Sequence, residues 1–255
     1  MRIVRFKIGR RVGYGVVERQ NVLHLKRAPF NGIYYSGQCF SLSDVRLLAP
    51  CLPSKVVAIG LNYRLHAAEL KYDTPESPLI FLKPPTAVIG YGDDIIYPAC
   101  SKQVDFEGEL GIVIGKRSHM VLTADALKYV LGYTCFNDVT ARDLQKKDGQ
   151  WTRAKGFDTF AAVGPWIETN LDTSSLMVET FLNGELKQSG NTSDMIFPVA
   201  ELVSAVSQVM TLLPGDIIAS GTPAGIGPMQ MGDEVEVKID GIGSLLNRVA
   251  DTRIK

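Results

Sequence analysis

The chain carries no charge excess of either sign: Lys plus Arg and Asp plus Glu both number 27. A nucleic-acid binder ordinarily shows a basic face and a high pI, so the balance argues against that class of partner. Long hydrophobic runs are missing too. The longest, GIVIG at 111–115 and VVAIGL at 56–61, fall far short of a membrane span. The opening residues MRIVRFKIGRR contain no apolar stretch of signal-peptide length. The expectation is a cytoplasmic protein with no membrane partner. Cysteine is sparse: Cys39, Cys51, Cys100 and Cys135 form no CxxC pair, and no paired histidines complete a zinc knuckle. They read as reduced thiols. There is no internal repeat and no low-complexity segment. A nucleotide loop is also lacking. Ser220–Gly227 is glycine-rich, but Pro228 and MQMGDEV follow where the dinucleotide fingerprint requires a helix.

What is present is strand signal. The 255 residues suit one large β-rich domain, or one domain with a small appendage. RIVRFKI, YGVVE and NVLHL read as short strands of a small N-terminal β-rich domain over residues 1–50, closed by SLSDVRLLAP with Pro50 and Pro53 as punctuation. Residues 51–255 form the second unit. VVAIGL, LIFLK, GELGIVIG, YTCFNDV, MVETFLNGE and EVEVKI are short, β-rich and bounded by turn residues. Asn183-Gly184 predicts a two-residue hairpin turn. Helical spacing is confined to TADALKYV, with Thr123 as N-cap, and to residues 200–211. Thr140 and Asp143 have the spacing of an N-cap and its N3 partner. With no regular βαβ alternation, the fold class is mostly β with few helices (α+β), a mixed roll or sandwich rather than a Rossmann sheet.

The chemistry concentrates in a few places. In Asp105-Phe-Glu-Gly-Glu-Leu110, strand alternation puts Glu107 and Glu109 on one face, about 6.5–7 Å apart. Bare carboxylates that close repel, and a shared hard cation resolves the repulsion; two solvated glutamates on an exposed strand are the alternative. Gly108 between them leaves the opposite face open. Asp138, at the end of YTCFND and before a helix signal, completes a metal site or merely caps that helix. His66 and Glu69, three apart on a helix, have the spacing of an imidazole and its orienting acid; a lone His is otherwise structural. The polar segment KYDTPESP after them reads as a mobile cover. Lys155 stands in a weakly charged, aromatic context, suited to a developing enolate or to plain solvent exposure. Arg142 and Gln145, three apart, bind a substrate carboxylate or are solvated. The loop at Gly221 and Thr222 offers N–H groups and a hydroxyl to a carboxylate, or is an ordinary turn.

Six motifs in order carry a resemblance: Gly60-Leu-Asn-Tyr-Arg-Leu-His-Ala-Ala-Glu69, Phe81-Leu-Lys-Pro84, Asp105-Phe-Glu-Gly-Glu-Leu110, Asn137-Asp-Val-Thr-Ala-Arg-Asp143, Ala154-Lys-Gly-Phe-Asp158 and Gly221-Thr-Pro-Ala-Gly225. From about residue 55 onward the chain resembles the fumarylacetoacetate hydrolase superfamily, in its compact form with a short extra N-terminal unit. The resemblance implies a mixed β-roll, a homodimer and a Mg²⁺ or Mn²⁺ ion on Glu107, Glu109 and Asp138. It implies a water-activating dyad of His66 and Glu69, with Lys155 as a further catalytic group. Tyr63, Arg142, Gln145 and Thr222 are then the substrate-binding residues, and the substrate is a small 2-keto acid. Hydrolysis of an acylpyruvate leads. Isomerisation of a hydroxylated dienedioate, and decarboxylation or tautomerisation of oxaloacetate, are alternatives at the same site.

Overall fold

A computed structural model describes residues 1–69, 71 and 73–251. Among these residues the strands assemble into sheets of twelve, three and five strands. The helices are short and few: α1 (Arg64–Glu69), α2 (Arg142–Asp148), α3 (Thr152–Lys155) and α4 (Val199–Val209), with short 3-10 turns besides. The mostly-β expectation holds.

At the centre lies an antiparallel pair, Gly108–Ile114 against Val130–Asp138. Every residue of Gly108–Ile114 is buried. Burial on both faces explains the continuous apolar run GIVI, which carries no alternation because neither face meets water. Ile217–Ala219 pairs on one side of this unit and Ala161–Glu168 on the other. Beyond Ile217–Ala219 run Val56–Gly60, parallel to it, and the edge strand Leu79–Lys83.

The N-terminal strands do not float free of this sheet. Arg2–Ile8 pairs with Ala161–Glu168 through Arg2 opposite Glu168 and Ile3 opposite Ile167, and the strands up to Tyr35–Ser41 continue outward from it. One face of the sheet buries Leu110, Ile112 and Ile114 under Leu202, Val203 and Val206 of α4 and under Val178 and Val237 of the five-stranded sheet. The other buries Val113, Phe136, Val163 and Ala219 together with Ile3. Glu107 and Glu109 share the side-chain parity of Val113, so the acids belong to this second face.

Local expectations fared unevenly. Asn183 and Gly184 have φ of 53° and 80° between Met177–Leu182 and Glu185–Asn191. That is the left-handed pair a type I′ turn demands. The helix expected over 200–211 is α4. TADALKYV forms a 3-10 helix, Thr123–Tyr129, and Thr123 lies inside it rather than capping it. The capping pair fails as well: Thr140 sits in a short strand, and its hydroxyl donates back to Asp138 O at 2.8 Å. The Asp143 carboxylate is drawn to Ser101 Oγ (2.7 Å) and the Lys102 N–H (3.0 Å) instead. The segment KYDTPESP includes Tyr72, which lies outside the described residues. No described helix is long and apolar enough to cross a membrane.

Candidate active site

Antiparallel pairing builds the acidic cluster. Gly108 lies opposite Asn137, so Asp138 stands across from Glu107, and directly opposed residues share a face. Ligand oxygens of Glu107, Glu109 and Asp138 come within 4.8 Å of one another, all three residues being buried. Glu107 marks the break between Val104–Phe106, a strand of the three-stranded sheet, and Gly108–Ile114. Its backbone is fixed on both sides. Its N–H donates to Asn137 Oδ1 at 3.0 Å, and its carbonyl accepts from the Asp138 N–H at 2.8 Å.

Three buried cations answer these acids. Lys155 Nζ donates to Glu107 Oε2 (2.7 Å) and Asp138 Oδ2 (2.6 Å). Arg142 donates from Nε to Asp105 Oδ2 (2.8 Å), from Nη2 to Glu107 Oε1, and from Nη1 to Gln145 Oε1 (2.7 Å). Lys83 Nζ donates to Asp138 Oδ1 and to Val139 O (3.1 Å). Asp105, Glu107, Glu109 and Asp138 therefore face Lys83, Arg142 and Lys155, one positive charge short of balance. The shortfall falls on Glu109. It has no ion pair among the described residues and accepts only the Gly221 N–H at 2.8 Å. Burial and the negative charges of Asp138 and Glu107 push its carboxyl well above the usual range. Burial pushes Glu107 the same way, but Lys155 and Arg142 overcome it and hold that carboxyl low. Burial also works against the Lys155 ammonium, yet Asp138 and Glu107 raise it on balance. Lys83 goes the other way, lowered by burial that Asp138 only partly offsets. A divalent cation fits this donor set. It is hard, it takes carboxylate oxygens, and it supplies charge where Glu109 lacks it.

His66 lines the same cavity as the acids. It is buried, on α1, with Nδ1 3.0 Å from Glu69 Oε2. The other oxygen of Glu69 accepts the Gly225 N–H at 3.0 Å, so the acid is held from two sides. The cavity has a volume of about 270 Å³ and is lined by His66, the three acids, Arg142, Gln145, Lys155 and Thr222, with Phe81 and Trp151 as apolar wall. A larger cleft of about 930 Å³, bordered by Asp94, Phe157 and Arg248, holds none of these groups. Convergent chemistry, not size, selects the smaller one.

The family model described as fumarylacetoacetate (FAA) hydrolase C-terminal matches residues 55–250, and one described as Rv2993c-like, N-terminal matches residues 1–50. The chain belongs to the fumarylacetoacetate hydrolase family. Oxaloacetate tautomerase YisK of Bacillus subtilis is 44% identical to it, over 82% of this chain and 75% of that one. Two solved structures superpose over nearly the whole chain. The 5-carboxymethyl-2-hydroxymuconate delta-isomerase of Mycobacterium smegmatis gives a TM-score of 0.94 at 46% identity, covering 99% of this chain and 100% of the other. The 2-hydroxyhepta-2,4-diene-1,7-dioate isomerase of Mycobacterium marinum gives 0.93 at 46%, covering 99% of both. The protein is thus an enzyme of this family, with a mostly-β fold shared across it.

Within this family fold, the residues singled out in the sequence converge with instructive exceptions. Tyr63 does not reach the cavity. Its side chain packs in the core, only 2% exposed, and its hydroxyl finds no hydrogen bond among the described residues. Its backbone bridges to Met195, which lies in the same core cluster. Arg142 does line the cavity, but all three guanidinium nitrogens are committed to Asp105, Glu107 and Gln145. It positions acids rather than offering a free fork. Gln145, by accepting through Oε1, presents its amide N–H₂ as its uncommitted end. The Thr222 hydroxyl is committed as well, donating to Gly108 O at 2.9 Å and accepting from Gln188 Nε2 at 2.8 Å. Nor does Gly108 leave an open face. A Cβ there would meet Thr180 Oγ1 at 2.1 Å, so this glycine lets the neighbouring sheet pack close.

Four contributors went unassigned in the sequence. Lys83 had a signal, a single charge inside the apolar strand LIFLK. Asp105 had one too, as the acid preceding the Glu-Gly-Glu run. Asn62 is fully buried. It donates to Phe197 O (3.0 Å) and Ser220 O (2.7 Å) and accepts the Phe197 N–H (2.8 Å), tying the α1 entry to the Gly221 loop. Gln188 is also buried. It accepts the Gly108 N–H at 2.9 Å and donates to Thr222 Oγ1 and Pro223 O, both at 2.8 Å. Neither amide has a local pattern that would reveal it, because every partner is distant in sequence.

Proposed function

We propose that the protein moves a proton at the carbon beside the keto group of a small 2-keto acid, interconverting keto and enol forms of an oxaloacetate-type substrate. The observation that carries this is His66, held by Glu69, lining one small cavity together with the three acids. The names of the relatives support it, since oxaloacetate and 2-hydroxyhepta-2,4-diene-1,7-dioate are both small diacids with an oxygen at the second carbon. The cavity size supports it too: about 270 Å³ lies just below the usual range of ligand pockets and suits an acid of a few carbons.

When bound at Glu107, Glu109 and Asp138, Mg²⁺ or Mn²⁺ supplies Lewis-acid polarisation of the keto-acid head. The chain's own groups do the rest. With its Nδ1–H donated to Glu69, the His66 ring keeps a lone pair on Nε2. That nitrogen takes the proton from the substrate carbon and passes it to the enolate oxygen, and ketonisation runs the same transfer from oxygen to carbon. Lys155 keeps one N–H beyond its two carboxylate bonds, and the Gln145 amide offers another donor. Both stabilise negative charge developing on the enolate oxygen. A second reading, hydrolysis of an acylpyruvate, uses the same base on water. The two-sided grip on Glu69 favours it, because a fixed carboxylate makes a stronger base of the imidazole. The proposal includes a homodimer, the commonest closed assembly; the expected light-scattering mass is twice the 27.9-kDa chain mass.

The test is a pair of assays with Mg²⁺: decay of the enol absorbance of oxaloacetate, and loss of acetylpyruvate. The wild-type protein accelerates the first, and His66→Ala slows it about 10²–10⁴-fold, the usual worth of a positioned base. Mn²⁺ affinity stays unchanged in that variant. Cleavage of acetylpyruvate that depends on His66, with no acceleration of oxaloacetate ketonisation, establishes the hydrolase instead. Acceleration of neither defeats both readings.

A further inference from the structure

Three cations line the cavity, and two of them are spent on protein acids. Arg142 and Lys155 are held as described above. The third, Lys146, is on the second half of α2. It is exposed, and it has no ion pair or hydrogen bond among the described residues. Its helix neighbours do not quench it. Asp143, three residues back, is taken by Ser101 and Lys102. Asp148 accepts two bonds from Arg153, at 2.7 and 2.5 Å. The buried acids therefore form the floor of the cavity, and an unneutralised ammonium stands at its mouth. The wall carries the apolar surfaces of Phe81 and Trp151, whose rings meet edge to face with centroids 5.0 Å apart. A ligand with an anionic, oxygen-rich head, a short carbon middle and a second anion at its far end matches that sequence of surfaces.

We infer that Lys146 is a specificity-determining residue that binds the distal carboxylate of the substrate, selecting dicarboxylic 2-keto acids over those with an uncharged tail. The inference rests on the keto-acid reading of this cavity. Oxaloacetate and 2-oxobutyrate test it, because they share a head and a chain length and differ only in a terminal carboxylate against a methyl. Lys146→Met raises KM for enol-oxaloacetate about tenfold, the worth of one charge-assisted contact. It leaves kcat and the inhibition constant of 2-oxobutyrate within about twofold, since neither involves the lost charge. Lys146→Arg restores the KM. Added salt weakens oxaloacetate binding in the wild type and has much less effect in Lys146→Met. If the wild type turns over no enol, the proton-transfer reading fails. Calorimetric affinities of the two acids for the Mg²⁺-loaded protein then still decide the role of Lys146. An unchanged ratio of the two affinities in Lys146→Met overturns it, as does a parallel loss for both acids.

Discussion

At the scale of single residues, the site is a case of buried charge arranged with one cation too few. Glu109 bears the cost. In the ion-free protein its charged form is disfavoured by burial and by two like charges, so ionising it destabilises the fold. The sign follows from a folded-state carboxyl held above its unfolded value: stability falls as pH rises through that raised value. Glu109→Gln keeps the shape and can still accept the Gly221 N–H. Metal-free Glu109→Gln is expected to be more stable than wild type at neutral pH, by about 1–4 kcal/mol, as when other buried charges are neutralised. Its Mn²⁺ affinity falls at least about tenfold with the loss of a ligand charge. Calorimetric melting and Mn²⁺ titration by electron paramagnetic resonance measure the two effects. A less stable metal-free variant would contradict the charge accounting. The thiols give a second check. Burial, aided by the charge of Asp216, pushes the Cys51 thiol up to about 12, and burial also raises Cys135. Both stay protonated near neutrality, whereas Cys39 and Cys100 are exposed. Titration with an aromatic disulfide is expected to modify two thiols in the native protein and four after denaturation. Glu107, Glu109 and Asp138 were legible in the sequence because acids in or at the end of a strand-like run are conspicuous, whereas Lys83 and Asp105 carried a similar signal but no role could be read from it. The roles of Arg142 and Thr222 were not legible either, because their partners lie on other strands.

At the scale of elements, the two glutamates depend on a backbone clip. Gly108, between them, gives its N–H to Gln188 and its carbonyl to the Thr222 hydroxyl, and Gln188 and Thr222 bond each other. The ring fastens the central strand Gly108–Ile114 to the five-stranded sheet and to the Gly221 loop. Gln188→Met removes one acceptor and two donors of buried bonds, at an expected cost of about 2–4 kcal/mol. If the clip also sets the separation of the acids, Mn²⁺ affinity of the folded variant drops about tenfold as well, since ligand geometry has loosened. A lower melting temperature with unchanged Mn²⁺ affinity would leave Gln188 a purely structural residue. Elements with local causes were the legible ones. Asn183-Gly184 specifies its hairpin through backbone conformation, and α4 shows helical spacing. Elements decided by distant partners were not. The Thr140 cap gave way to a strand and a back-bond to Asp138. The run Asp105–Leu110, read as one strand, breaks at Glu107, where the chain passes between two sheets.

For the molecule as a whole, the question is whether the first fifty residues melt with the remainder. They have a small core of their own in Val4, Phe6 and Val22. Composition and turn signals set them apart as a unit, and a separate family model matches them. Ile3 works against independence. It is fully buried, pairs with Ile167, and packs in the cluster that contains Phe136 and Val163 rather than with its sequence neighbours. Phe136 lies two residues before Asp138 on the same strand face, so the apolar layer under the acids extends into the N-terminal strands. One cooperative transition is therefore expected on heating. Ile3→Ala is expected to shift all of it, by about 2–5 kcal/mol for a large buried aliphatic cut to Ala. Differential scanning calorimetry of the two proteins gives the answer. A second transition of low enthalpy in Ile3→Ala, with the main peak unmoved, would mean that residues 1–50 only lean on the catalytic body. A single peak moved downward would mean that the sheet under the acids is stabilised from both ends, and Mn²⁺ affinity well below the transition should then match wild type, since Ile3 touches no ligand.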